Sequence, residues 1–175
     1  MDVFADSIDY WFEQQENNIH GAIQSFVGLL LDGDAEGVAR VLNEDLLGNP
    51  SYHDYIAENS YHMFIFGILL AVSRNYVVLS NRESGKGRSD CLIKPDDNSR
   101  TAVVIEFKHL KDRPSGSPMG PEDLAEEARK GMAQIDEMAY IHSLKQEGYP
   151  RVYKYAIAFH GKSCEVAMEV EPLAG

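Results

Sequence analysis

Cysteine is scarce in this chain: Cys91 and Cys164 are the only two among 175 residues. Two cysteines form no disulfide framework and none of the paired spacings of a zinc site. Both stand in strand-like apolar runs, where a thiol serves as a small buried hydrophobe. No apolar run approaches the ~18 residues a membrane helix needs, and the N-terminus lacks the basic-then-apolar pattern of a secretion signal. A soluble, cytoplasmic protein without a membrane partner is expected. Net positive charge is missing too. The formal charge is −12, which argues against broad, non-specific affinity for nucleic acid. There is no glycine-rich phosphate loop ending in Gly-Lys-Ser/Thr, no internal repeat and no low-complexity tract. The lone tryptophan, Trp11, suits a packing anchor better than a base-stacking platform.

What is present is an ordinary globular composition, 44% hydrophobic, in a chain long enough to bury a proper core. Apolar residues at Ile19, Ile23, Phe26, Val27 and Leu30 follow a helical period, and Gly33 fits its stop. Asp34 can cap a second helix carrying Val38, Val41, Leu42 and Leu46, with Gly48-Asn49-Pro50 ending it. Ile8, Trp11 and Phe12 suggest a further short helix before these. Residues 1–50 thus read as a helical extension, and its apolar faces offer a homodimer contact. A main domain is expected over 51–175. It opens with a helix from about Tyr55 to Arg74, striped by Tyr61, Phe64, Ile65, Ile68, Leu69 and Val72. Strands follow at Tyr76–Leu79, Arg88–Lys94 and Thr101–Lys108. After a Pro/Gly/Ser-rich loop, Pro121 starts a helix running to about Lys145. Val152–Phe159 and Ser163–Val170 form a hairpin around His160-Gly161-Lys162. The order α-β-β-β-α-β-β predicts an α/β fold with a mixed sheet flanked by helices. The helix between Lys108 and Arg151 is long enough to cross over between parallel strands. His109 and His160, at strand ends, are expected in solvent, and His62 in the core or lining a site.

The chemistry concentrates in Gly85–Lys108, GKGRSDCLIKPDDNSRTAVVIEFK. Positions 82–113 hold eight basic residues against six acids, a local positive excess in an acidic chain. Two acids stand in apolar β runs, Asp90 before Cys91-Leu92-Ile93 and Glu106 within Val103–Phe107. A buried carboxylate is costly without a partner. A hairpin centred on Asn98 pairs Cys91 with Ile105, Leu92 with Val104 and Ile93 with Val103, and sets Asp90 opposite Glu106. A one-residue slip would turn one strand's apolar set to the wrong face. Opposed acids ~5 Å apart repel, which is relieved by protonating one or by a bridging cation. Two such carboxylates suit a hard divalent ion such as Mg²⁺. Lys108, two residues beyond Glu106, shares its face and could orient water or neutralise charge on a phosphate. The alternative is a surface salt bridge from Glu106 to Lys108 at a strand end. Glu58, beside the buried stripe of its helix, has the alternative reading of a first-turn acid favoured by the helix dipole.

Asp90 followed by Glu106-Phe107-Lys108 on the next strand resembles the PD-(D/E)xK nuclease superfamily, and the ordered set extends beyond the hairpin. Glu58 matches the acid many members carry on the first core helix. Gln134 with Tyr140 is similar to the Gln…Tyr motif of the RecB-like branch. Further stretches, including Ser51-Tyr52-His53-Asp54, Ser80–Asp90 and Ala158–Lys162, resemble a bacterial nuclease-like domain found C-terminal to AAA-type ATPase-like domains. The resemblance implies a restriction-endonuclease-like core. It implies Asp90, Glu106, Glu58 and the backbone carbonyl of Phe107 as ligands of Mg²⁺ or Mn²⁺, with Lys108 as catalytic lysine. Gln134 would orient the active site or the nucleic-acid backbone, and Tyr140 would support it. Arg82, Lys86 and Arg88 would contact phosphates, with Gly85 and Gly87 allowing close backbone approach. Ser89 stands where the family motif has proline, and the gap from Gln134 to Tyr140 is longer than usual.

Two functions follow from these residues. The first is a metal-dependent nuclease acting on nucleic acid, DNA in the first instance. The second is a non-cleaving module of the same fold that serves an ATPase-like partner, since fold alone does not fix function. The full set Glu58, Asp90, Glu106 and Lys108 favours the first, and the acidic charge favours help from a partner in substrate delivery.

Overall fold

The computed structural model describes residues 18–47, 60–72, 76–80, 91–114, 116–136 and 140–173. Helix α1 (Asn18–Asp32) ends at Gly33, whose φ of +82° is the left-handed conformation of a helix stop. Asp34 then caps α2 (Ala35–Val41), its carboxylate accepting the Gly37 N–H at 2.9 Å. The helix continues as a π-helical turn, Leu42–Leu46. There the Asn43 side chain pairs with both backbone groups of Cys164, at 2.8 and 3.0 Å, tying the turn to the sheet. Helix α3 (Ser60–Val72) is almost wholly apolar. The short helix expected around Trp11 and the start of the Tyr55 helix lie outside the described residues.

Five strands follow: β1 (Tyr76–Ser80), β2 (Cys91–Pro95), β3 (Ala102–His109), β4 (Arg151–His160) and β5 (Ser163–Pro172). They form one mixed sheet in chain order. β1 and β2 are antiparallel, as are β2 and β3, and β4 and β5; β3 and β4 are parallel. The β2–β3 register is the expected one, with Cys91 against Ile105, Leu92 against Val104 and Ile93 against Val103. The parallel pair is joined by α4 (Pro121–Asp136) and α5 (Tyr140–Gln146). Where one helix to about Lys145 was expected, the described helix stops at Asp136 and a second begins at Tyr140; residues 137–139 lie outside the description. Among the described residues no helix is long and apolar enough to cross a membrane.

Alternation along the strands sends side chains to two cores. On one face Cys91, Ile93, Val103, Ile105, Tyr155, Ile157 and Phe159 pack against Phe26 and Leu30 of α1, Val38 of α2 and Ile65 of α3. The Tyr155 hydroxyl donates to the carbonyl of Leu30 at 3.1 Å, satisfying a group at the end of α1. On the other face Leu92, Val104, Val152 and Ala156 meet Met132 and Ile135 of α4 and Leu144 of α5. A smaller cluster, Leu110, Leu124, Ala128 and Ala158, extends this face along α4. β3 is covered on both sides, which is why Ala102–Ile105 reads as an unbroken apolar run. Both cysteines are buried. Burial, with Glu165 nearby, pushes the Cys164 thiol up to about 12, fitting a structural rather than reactive role.

Candidate active site

Glu106 is the buried acid of β3, 2% exposed, on the face that α4 covers. Lys108, two residues along and so on the same face, points its ammonium back to Glu106, with Nζ 2.9 Å from Oε1. The lysine also donates to the side-chain oxygen of Gln134, one strand-to-helix step away on α4. Three expected site residues, Glu106, Lys108 and Gln134, are thereby brought together. The pair is not the surface salt bridge of the alternative reading: the Glu106 side chain is 3% exposed and that of Lys108 20%.

Small neighbours make room for two long polar side chains under a helix. Across the β3–β4 ladder, Glu106 faces Ala156 and Lys108 faces Ala158. Above them α4 presents Ala128 and Gly131, both buried. Beyond Lys108 the next three residues, His109, Leu110 and Lys111, line a cleft of about 310 Å³. Its other wall is Met119 with Asp123, Glu126, Glu127 and Lys130, the turns of α4 that precede Gln134. The acids on that wall are ion-paired: Asp123 with Arg113, Glu126 with Arg129 and Glu127 with Lys130.

Phe107 alternates to the opposite face. Its ring meets the edge of His62 at a centroid distance of 5.6 Å. His62 lies 3.1 Å from the Ser80 hydroxyl through Nε2, so it packs behind the strand rather than beside Glu106 and Lys108. His109 and His160 are less solvated than their strand-end positions suggested. His109 is half-buried, its ring 5.6 Å from that of Tyr61, and His160 Nε2 is 2.9 Å from Asp112 Oδ1. Asp90, Glu58, Arg82, Lys86 and Arg88 lie outside the described residues, as does the side chain of Tyr140, whose backbone starts α5.

A group that sequence reasoning did not single out lies on the same face. Lys154 of β4, 5% exposed, ion-pairs with Asp136 at 2.6 Å, Glu169 at 3.1 Å and Glu171 at 3.2 Å. Its signal was available, since it is a charged residue inside an apolar β run, the same anomaly as Glu106. Asp136 is two residues past Gln134, so this ion pair fixes the end of α4 that carries the glutamine. Burial acts to lower the Lys154 pKa, but the hydrogen bonds it donates to Asp136, Glu169 and Glu171 outweigh that and raise it above the ordinary lysine value. Lys154→Ala should reduce stability by about 2 kcal/mol at neutral pH, less than for a fully buried pair because the three acids can hydrate. A raised folded-state value places the linked stabilisation at lower pH. It is fully present below the unfolded value near pH ~10.4 and is lost as pH rises through the folded value. Urea unfolding of the parent and Lys154→Ala should show a constant difference from about pH 6 to 9 that narrows above about pH 10.

A family model of the PD-(D/E)XK nuclease superfamily matches residues 56–169. The chain belongs to this superfamily. No curated protein matches the chain. The five-stranded mixed sheet flanked by helices is the restriction-endonuclease-like fold of these proteins. The matched span includes Glu58, Asp90, Glu106, Lys108, Gln134 and Tyr140, while α1 and α2 precede it. Superfamily members are in general nucleases that use divalent metal ions. Among the described residues no three His, Cys, Asp or Glu side chains gather as a metal-binding group. The described donor at the site is one buried carboxylate, Glu106, an oxygen ligand of the kind Mg²⁺ and Mn²⁺ take. That donor chemistry fits a hard divalent ion.

Proposed function

We propose that this PD-(D/E)XK protein is a Mg²⁺- or Mn²⁺-dependent nuclease that hydrolyses phosphodiester bonds in DNA. The observation that carries the reading is the Lys108 ammonium held between buried Glu106 and Gln134 on one sheet face. Asp90 and Glu106, with the Phe107 carbonyl and Glu58, would hold the ion. Asp90 immediately precedes Cys91, whose partner across the hairpin is Ile105, the neighbour of Glu106. When bound, a divalent ion supplies a more acidic water and charge stabilisation for the leaving oxygen. Lys108 contributes the rest from this chain. Its ammonium donates toward a non-bridging phosphate oxygen, where negative charge grows as the new P–O bond forms and the old one breaks. Gln134 fixes the direction of that ammonium. Arg82, Lys86 and Arg88 would contact the phosphate backbone, with Tyr140 supporting Gln134.

The net charge of −12 favours delivery of the substrate by a partner, and an ATPase-like protein or domain is the partner we propose. A non-cleaving role beside that partner is the second reading, favoured by the same charge. A substrate panel separates them: supercoiled, linear and single-stranded DNA and RNA, each with Mg²⁺, Mn²⁺ or EDTA. Metal-dependent cleavage of DNA, abolished by EDTA and stronger at low salt, is expected. RNA cleavage without DNA cleavage would overturn the substrate, and no cleavage of any member at low salt would favour the second reading.

A further inference from the structure

Gly131 stands inside α4, where a glycine is the poorest helix former after proline and the helical backbone does not require one. Its use is in what lies beneath it. A Cβ at this position would come 3.0 Å from the Cβ of Ala156, 3.3 Å from Cγ of Lys108 and 3.5 Å from Cε of Lys108. The helix therefore rests directly on the lysine stem. Gln134, one helical turn on, takes the tip of the same side chain. The stem is held along its length by helix backbone, and its ammonium by Gln134 and Glu106.

We propose that Gly131 is a positioning residue for Lys108, resting on the nuclease reading above. An added methyl meets two obstacles. Ala156 is fully buried on β4 and cannot rotate away, because its Cβ is fixed by the backbone. The lysine stem has four torsions and yields first. Its displacement takes the ammonium away from both acceptors while leaving the fold intact.

The test compares the full chain with Gly131→Ala, Ala156→Gly and the double variant, using cleavage kinetics, melting temperature and NMR of ¹³Cε/¹⁵Nζ-labelled lysine. The Lys108 signal is assigned as the one missing from Lys108→Ala. Gly131→Ala is expected to lower kcat by about 10- to 100-fold, as misplacement of a catalytic group does. KM should stay within about twofold, because substrate contacts elsewhere are untouched. The Lys108 signal should shift while the variant stays folded at the assay temperature, the better helix propensity of alanine offsetting part of the overpacking against Ala156. The double variant should recover most of kcat and return the signal, because removing the Ala156 methyl lets the new one sit against β4. An unshifted Lys108 signal in Gly131→Ala overturns the inference, as does a fall in kcat that the unfolded fraction at the assay temperature accounts for. If the parent cuts nothing, the nuclease reading fails alone: the NMR comparison still decides whether Gly131 sets the position of Lys108.

Discussion

Lys108→Ala should reduce metal-dependent cleavage by about 10²- to 10³-fold, the cost of removing one preorganised donor aimed at developing charge. The magnitude follows from the setting. The ammonium is not a mobile surface charge; its side chain is 20% exposed and two acceptors from different elements hold it. Such a donor needs no reorganisation at the moment of bond breaking, whereas bulk water must reorient to stabilise the same charge. Lys108→Arg should not restore the rate. The guanidinium is a broad planar fork rather than a point charge, and the stem channel beneath Gly131 and beside Ala156 is already in close contact. Melting temperature provides the control: the alanine variant should stay folded but melt lower, because buried Glu106 loses its cation while both hydrophobic cores keep their contacts. Single-turnover kinetics on a labelled duplex would separate loss of chemistry from loss of binding.

Phe26→Ala should lower the unfolding free energy by about 3–5 kcal/mol, the usual cost of emptying a large aromatic site in a packed core. Phe26 is 0% exposed and packs in the same cluster as Ile105 and Tyr155 of the sheet. α1 therefore closes the face of β3 opposite Glu106 and Lys108, and its loss would expose the back of the strand that carries them. Unfolding of both parent and variant should be a single cooperative transition. A separate, early transition for the helices, with the sheet unchanged, would show instead that residues 18–47 form an appendage. Cleavage by Phe26→Ala, measured well below its midpoint, should remain near the parent's, because the cavity lies on the other side of the sheet.

The β2–β3 register was legible because two short apolar runs flank a turn of five polar residues, and the alignment symmetric about Asn98 pairs apolar with apolar. The helix punctuation at Gly33 and Asp34 was legible for a similar reason, since a left-handed stop and a side-chain cap each leave a local signature. Glu106, Lys108 and Gln134 were legible as types and spacings, but their convergence needed the tertiary step that lays α4 over β3. Other features were hidden. Gly131 looks like a mere helix weakness until its neighbours are known, because what matters is a contact with β3 and β4. Lys154 is a lone cation in sequence, and its three acids come from α4 and β5. Asn43 reads as a surface amide near a helix end, although its side chain completes the backbone pairing of Cys164, far away in the chain.

The most direct measurement is a time course of plasmid cleavage in Mg²⁺ by the parent chain beside Glu106→Gln, with an EDTA arm for each. Glutamine keeps the shape of the buried side chain and its bond to Lys108 but removes the negative charge a divalent ion requires. Cleavage by the parent, none in EDTA, and a loss of at least about 10²-fold in Glu106→Gln at unchanged melting temperature are expected. Equal cleavage by parent and variant, or parent cleavage that persists in EDTA, would contradict metal-dependent hydrolysis at Glu106.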